Sequence, residues 1–384
     1  MDVYDPTTMR LFAIFLSLSL TIAASRAIKY PPLPAISNSL DPEKQIATAK
    51  SALRRDIGNP YLWSTLAAAY RSANKPAEAN ESYHRAVDLS GAVPQPLVDA
   101  ARFYFERQDF DQALPLAARI LDTVSDYDSV LFTYLDHLLL PNPAPVFIAI
   151  GLNRRPIRAY TQHLIDIGDM KSARLGWRFA ESAHFADNRL VSSYLDAMIL
   201  RAQRYEEAQH DWVEYLGAAK GDYPESNLLF NAGFEREPTG SPMDWRINPS
   251  DSFDTSRDDS VAYTGKCSLR IHFTGTENAA YNHLAQSTCV RPGPHFLQAR
   301  VRTDHITTDE GPRLEIVDAE LPSRLDVRTE PVTGNNDWRL VVQPFVVPNG
   351  TRFITVRVIR TPSRQADDKI AGTYWLDEVR LGRE

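Results

Sequence analysis

Few side chains of this sequence could do covalent chemistry. Glu315, Asp318 and Glu320 gather in the stretch "RLEIVDAELP". Two carboxylates facing each other across a cleft cleave glycosidic bonds, and the gap between them sets whether the anomeric configuration is kept or inverted. Acids on a strand and the loop after it also serve as ordinary solvated surface, so glycoside hydrolysis stands as an alternative only. The sequence has no Gly-x-Ser-x-Gly elbow, no His-Glu-x-x-His, no phosphate loop and no dinucleotide fingerprint, and its nine histidines carry no ligand spacing. Its two cysteines, Cys267 and Cys289, exclude a cysteine-rich zinc centre and leave either one bridge or two buried thiols. A bridge over that loop would contribute about 3 kcal/mol. The expectation is a non-catalytic protein that needs no cofactor.

The 384 residues are enough for two or three domains. A net charge of −7 and a pI near 5.8 argue against a nucleic-acid partner, which normally leaves a basic excess on one domain. At the N-terminus "LFAIFLSLSLTIAA" is preceded by Arg10 and followed by "SRA", the layout of a secretory signal ending near Ala27. Asp2 and Asp5 spoil the basic leader, whereas a start at Met9 would restore it. The alternative is a retained membrane anchor, although the run falls short of the ~20 residues that a spanning helix needs. Both readings put most of the chain outside the cytoplasm, whether periplasmic, membrane-anchored or secreted, and point to a bacterial source. A proline-rich linker then runs over 28–42.

Elements that could position a binding site come next. In "WSTLAAAYRSANKPAEANESYHRA", Trp63, Leu66, Ala67 and Tyr70 share one helical face, as do Ala79, Tyr83 and Ala86 after the Lys75-Pro76 turn. Such a hairpin buries too little alone and needs copies of itself. The pattern returns 34 residues on, with Leu97, Ala100, Ala101, Tyr104 and Ala113 in the corresponding slots. Ala173 with Trp177 and Ala208 with Trp212 repeat the second-helix signature. Prolines at 141, 143, 145 and 156 interrupt the intervening stretch, where one shortened unit is expected.

These hairpins, over 43–220, resemble the tetratricopeptide repeat family, with Ala67 in place of the usual glycine. The resemblance implies an α-solenoid whose first helices line a concave groove. Arg71, Arg102, Arg158, Gln162 and Arg201 would face that groove, and arginine forks match the carboxylates of an acidic or C-terminal segment of a partner protein. Pairing with neighbours such as Glu106 and Asp166 is the alternative reading of each residue.

Beyond about residue 221 the apolar period changes from 3.6 to 2. Cys267, Leu269, Ile271 and Phe273 alternate with polar neighbours, as do Ile354, Val356 and Val358. Further short strands separated by Gly, Pro, Asn and Asp predict an antiparallel β-sandwich. Within it "NLLFNAGFE", Trp245, "GKCSLRIHF", "DWRLVVQPFVVP" and the closing "YWLDEVRL" resemble carbohydrate-binding modules of the jelly-roll, galactose-binding-like fold over 221–384. The resemblance implies a structural calcium between first and last strands, with Glu235 and Asp377 among its ligands. Sugar rings stack on exposed aromatics and polar groups fix their hydroxyls. Strand alternation puts Tyr281, His283 and Tyr374 on the polar side with Arg300 and Arg302, and Trp245, Trp338 and Trp375 in the core.

The combined expectation is a multidomain α-then-β chain, an α-solenoid followed by an antiparallel jelly roll. It would act as an exported adaptor that binds a protein through the helical groove and a polysaccharide through the sandwich, in exopolysaccharide or envelope assembly. A purely protein-binding scaffold with a structural sandwich is the alternative, since a shared fold does not imply a shared function.

Overall fold

The computed structural model describes residues 41–383, apart from positions 92, 140, 141, 152 and 367. The expected leader over 1–27 and nearly all of the linker lie outside the described residues. Among the described residues no helix is long and apolar enough to cross a membrane. The chain divides into two compact units, Met1–Phe185 and Ala186–Glu384. Helix gives way to strand near 220, but the last helical pair belongs to the same compact unit as the strands.

The first unit is a series of helices: α1 (Pro42–Leu53), α2 (Pro60–Ser72), α3 (Pro76–Ser90), α4 (Pro94–Glu106), α5 (Phe110–Thr123), α6 (Asp128–Leu139), α7 (Ala144–Ile150), α8 (Arg154–Asp166) and α9 (Met170–Ser182). Prolines open α1 to α4, where a missing N–H costs nothing, and Asp41 and Asn59 cap two of those helices through their side chains. Helices α2, α4 and α6 begin at 60, 94 and 128, and α3, α5 and α7 at 76, 110 and 144, so three hairpins follow a strict step of 34. The third is the shortened one, because α7 has only 7 residues. Neighbouring helices pack in sequence, α2 on α3, α3 on α4, α4 on α5 and α8 on α9. Small residues set the close approach, since Ala67, Ala79, Ala86, Ala100, Ala113 and Ala173 are all fully buried.

The second unit begins with α10 (Asn188–Asp196), a π-helical turn (Ala197–Arg201) and α11 (Tyr205–Leu216). Ten strands follow: β1 (Arg246–Ile247), β2 (Phe253–Asp258), β3 (Ser268–Thr274), β4 (Tyr281–Cys289), β5 (Gly293–Ile306), β6 (Arg313–Asp318), β7 (Asp326–Arg328), β8 (Gly334–Val347), β9 (Phe353–Arg360) and β10 (Ala371–Arg383). They form two five-stranded antiparallel sheets, β1-β4-β9-β6-β7 and β2-β3-β10-β5-β8. Leu269, Ile271 and Phe273 of one sheet and Ile354, Val356 and Val358 of the other belong to one buried core. The sandwich is closed by its own ends. Asn227 accepts the amides of Leu229 and Leu381 and donates to the Val379 carbonyl, so the opening segment is stapled to the last strand. Helix α11 lies on the outer side of the first sheet, where Tyr205 stacks on Phe353 with ring centroids 4.6 Å apart.

Gly176 marks a close helix contact in the first unit. A Cβ there would sit 2.5 Å from Thr161 Oγ1 and 2.6 Å from Phe147 Cζ, both buried groups. Helix propensity favours alanine by about 1 kcal/mol, but overpacking costs about 1–3 kcal/mol. Gly176→Ala is therefore expected to lower the urea midpoint of the first unit, and an alanine variant more stable than the parent would refute this close contact.

Candidate functional site

Side chains alternate across a strand, so the inward run of Leu269, Ile271 and Phe273 sends Arg270 and His272 outward. The register carries that parity across β2-β3-β10-β5-β8. One cross-strand row on the outer face is Asp254, His272, Thr373 and Asp304, and the next is Ser256, Arg270, Trp375 and Arg302. Beyond them Asp258 pairs with Ser268 on one side of the sheet, and on the other Asp377 pairs with Arg300, with Leu340 next on β8. The face thus interleaves aromatic, basic and acidic side chains on a stiff platform.

Trp375 lies between two arginines, paired across the strands with Arg270 and Arg302. Its indole N–H donates to Asp258 Oδ2 at 2.8 Å, and the Arg302 guanidinium sits 5.6 Å from its ring centroid. Arg300 lies 4.4 Å over the ring of Tyr263, which meets Trp338 edge-on at 5.8 Å. Arg380 in turn lies 5.8 Å from the Phe296 ring. Trp375 is only 9% exposed, whereas Tyr263 is 38% exposed and presents its ring to solvent.

Tyr263 reaches this face because two acids hold its loop. Asp377 Oδ2 accepts the amides of Tyr263 and Thr264 at 2.8 and 3.2 Å, and its Oδ1 accepts that of Glu378. Glu235 Oε1 accepts the amides of Lys266 and Cys267 at 2.8 and 3.1 Å. Between them, Gly265 has φ +65°, and a Cβ there would lie 2.1 Å from Glu235 Oε1, so only glycine fits. The two acids implied as calcium ligands therefore meet on one loop. Burial raises the Asp377 carboxyl above its ordinary range against the pull of its three amides, and Glu378 adds to the rise. Among the described residues no lysine or arginine pairs with either acid. Two carboxylates without a cationic partner are hard oxygen donors of the kind a hard cation takes.

Two residues expected on the polar side are not there. Tyr281 and Tyr374 are each 1% exposed and belong to the core, where burial pushes both phenols up. The physical reason is the same for both. The ladder shifts register between Tyr281 and Leu284 on β4 and between Asp377 and Arg380 on β10, and a bulge inverts the parity counted from the residues beyond it. The same inversion puts Trp375 on the outer face, where it is nonetheless buried, whereas Trp338, expected in the core, is only half-buried. Trp245 is in the core. His283 lies on the other sheet, its Nδ1 3.1 Å from the Asn248 carbonyl, beside an open hollow of about 220 Å³ lined by Asn248, Pro249, Ser250 and Phe253. Arg300 and Arg302 are at the site. Sequence reasoning missed Tyr263, Arg270, Trp338, Trp375 and Arg380, of which only the lone exposed aromatic in the "VAYTGK" loop left a local signal.

The remaining candidates are engaged elsewhere. Arg71 pairs with Glu106 at 3.0 Å, Arg102 with Asp99 at 3.6 Å, and Gln162 donates to Asp166 at 2.9 Å. Arg158 and Arg201 also have partners, and Arg201 lies in the second compact unit. Cys267, just before β3, and Cys289, at the end of β4 in the other sheet, are free thiols and form no bridge, and burial pushes the Cys289 thiol up to about 12. None of the three acids considered for glycoside cleavage is free. Glu315 is clamped by Arg328 and Arg357, Asp318 by Arg324, and Glu320 by Arg324 and Arg352.

Asp318 shows how strongly such clamping acts. Burial alone would raise its carboxyl, but Arg324, the Thr351 hydroxyl and the amides of Leu321 and Glu320 outweigh burial and lower it from 3.8 to about 2. A depressed carboxylate stabilises the fold above its unfolded value, and that contribution is lost as pH falls from 3.8 to about 2. Asp318→Asn is expected to flatten the dependence of Tm on pH in that window. An unchanged slope would show that this carboxylate is not the group responsible.

No protein-family model matches the chain, and neither does any curated protein. Solved structures similar to its β-sandwich part include the CBM22-1 xylan-binding domain of Paenibacillus barcinonensis Xyn10C (15% identity, TM-score 0.27, covering 40% of this chain and 91% of that one). A family 16 carbohydrate-binding module is similar at 15% identity and TM-score 0.29, over 40% and 99% of the two chains. The enzymatically active domain of tailspike protein 4 from bacteriophage CBA120 is similar at 14% identity and TM-score 0.32 over 41% of this chain, which spans 21% of that domain's chain.

Proposed function

We propose that this protein is a non-catalytic, extracytoplasmic adaptor whose β-sandwich binds a polysaccharide on the outer face of β2-β3-β10-β5-β8. The observation that supports this most is the interleaving on one sheet face of the accessible rings of Tyr263 and Trp338 with Arg270, Arg300, Arg302, His272 and Asp304. Sugars are recognised by rings that stack on their apolar faces and by polar groups that reach their hydroxyls, and this face offers both. The clamped state of Glu315, Asp318 and Glu320 supports the non-catalytic part of the reading.

The helical unit, in this proposal, is a tetratricopeptide-type solenoid that takes an acidic or C-terminal segment of a partner protein, in envelope or exopolysaccharide assembly. Its groove arginines already have acidic neighbours. Exposed ion pairs contribute only about 0–1 kcal/mol, so exchanging one for a partner's carboxylate costs little. A purely protein-binding sandwich is favoured by a different observation, the exposed apolar run of Leu340, Val342 and Val346 on the edge strand β8.

Affinity electrophoresis of the full chain in a panel of plant and bacterial polysaccharides separates the two. Retardation by at least one polysaccharide, lost in Tyr263→Ala and Trp338→Ala variants that keep the parent Tm, is expected. No retardation by any of them would sink the glycan reading in favour of the scaffold. We extend the proposal to calcium, held by Glu235 and Asp377, where it would neutralise a buried charge and lock the Tyr263 loop. Added calcium is expected to raise Tm and chelator to lower it, with no response in Asp377→Asn; a response that survives in that variant would place the ion elsewhere.

A further inference from the structure

Three arginines on the glycan-facing sheet are held differently from most others of the sandwich. Arg257, Arg313, Arg324, Arg328, Arg352 and Arg357 each pair with a carboxylate. Among the described residues, the guanidinium groups of Arg300, Arg302 and Arg380 have no acidic partner and no hydrogen bond, and each instead lies against a ring, of Tyr263, Trp375 and Phe296 respectively. A ring takes up the flat face of a guanidinium and leaves its N–H edge free to donate in the plane. Arg300 and Arg302 are two residues apart on β5, hence about 7 Å apart on the same face, and Arg380 stands across from Gln298, the next outward residue of that strand.

The acids on this face do not compete for these forks. Asp254 is bound to Arg270 at 2.5 Å, Asp258 to the indole of Trp375 and to Ser260, and Asp304 to His305 at 2.6 Å. Asp377 is filled by backbone amides and Glu378 accepts the Thr264 hydroxyl. In a chain of net charge −7, one sheet face thus keeps three uncommitted guanidinium groups in a short line. A neutral sugar gives such groups only hydroxyls, whereas a sugar carboxylate accepts two N–H bonds from one fork and cancels its charge.

We infer that the ligand of this face is an acidic polysaccharide, a uronate-bearing chain whose carboxylates dock on Arg300, Arg302 and Arg380 while its sugar rings lie along Tyr263 and Trp338. This rests on the glycan reading above and adds the class of glycan.

The test compares polygalacturonate with its fully methyl-esterified, uncharged form, by titration calorimetry on the full chain, together with phosphatidylglycerol vesicles. The acid form is expected to bind about tenfold or more tightly than the ester and to weaken as salt is raised. The double variant Arg300→Gln/Arg302→Gln should lose about tenfold in affinity for the acid form and little for the ester. Should that variant fall in Tm, Arg300→Lys/Arg302→Lys keeps the charge but removes the fork and is expected to lose affinity for the acid form as well. Equal affinity for acid and ester forms would overturn the acidic-ligand proposal while leaving the glycan reading intact. Binding of neither form, with every polysaccharide of the wider panel also failing, would overturn both. Vesicle binding without polygalacturonate binding would overturn it in favour of an anionic lipid.

Discussion

The second compact unit depends on two carboxylates that spend their charge on backbone amides. Glu235, from the opening segment, and Asp377, from the bulge in the last strand, together accept the N–H groups of Tyr263, Thr264, Lys266, Cys267 and Glu378. Buried amides need acceptors, and a carboxylate is the strongest that a side chain offers. The result is a loop that cannot drift, folded over the sheet with Tyr263 set on Arg300. Asn227 acts in the same spirit one step away, tying the start of the sandwich to its end through three backbone hydrogen bonds.

The two sheets divide the work. The outer side of β1-β4-β9-β6-β7 is consumed within the unit: Tyr205 stacks on Phe353 and hydrogen-bonds Glu320, and Glu315 and Asp318 sit inside arginine clamps. Burying those acids without their partners would cost several kcal/mol each, which is why each carries one. On the outer face of the other sheet Arg300, Arg302 and Arg380 rest on rings instead, while Arg270 pairs with Asp254. Rings hold a cation in place without neutralising it, so that face keeps its positive charge.

Helical packing in the first unit follows one rule repeated. Alanines at the crossing points, and Gly176 where even a Cβ would strike Phe147 and Thr161, let helices meet backbone to backbone. Tyr83, Tyr160 and Trp177 fill the spaces that remain and are fully buried. Such a stack grows by copying a unit, and for that reason its spacing survives the shortening of the third hairpin.

The amino-acid sequence by itself determined what depends on period. The 34-residue step of the hairpins, the change from period 3.6 to 2, the sandwich and the core place of Trp245 were all legible, because they follow from which face of a helix or strand must leave water. The resemblance of the motifs that open and close the sandwich, and not their period, singled out Glu235 and Asp377. Only the tertiary structure decided which way Tyr281, Tyr374 and Trp375 point, since a single extra residue in a ladder reverses every side chain beyond it and leaves no mark on composition. It alone decided which arginines are neutralised and which rest on rings, because that depends on which neighbours strand order supplies and on what those neighbours already bind: Glu315 meets Arg357 across β6 and β9, whereas Asp377, across from Arg300, spends its oxygens on backbone amides and leaves Arg300 on the Tyr263 ring.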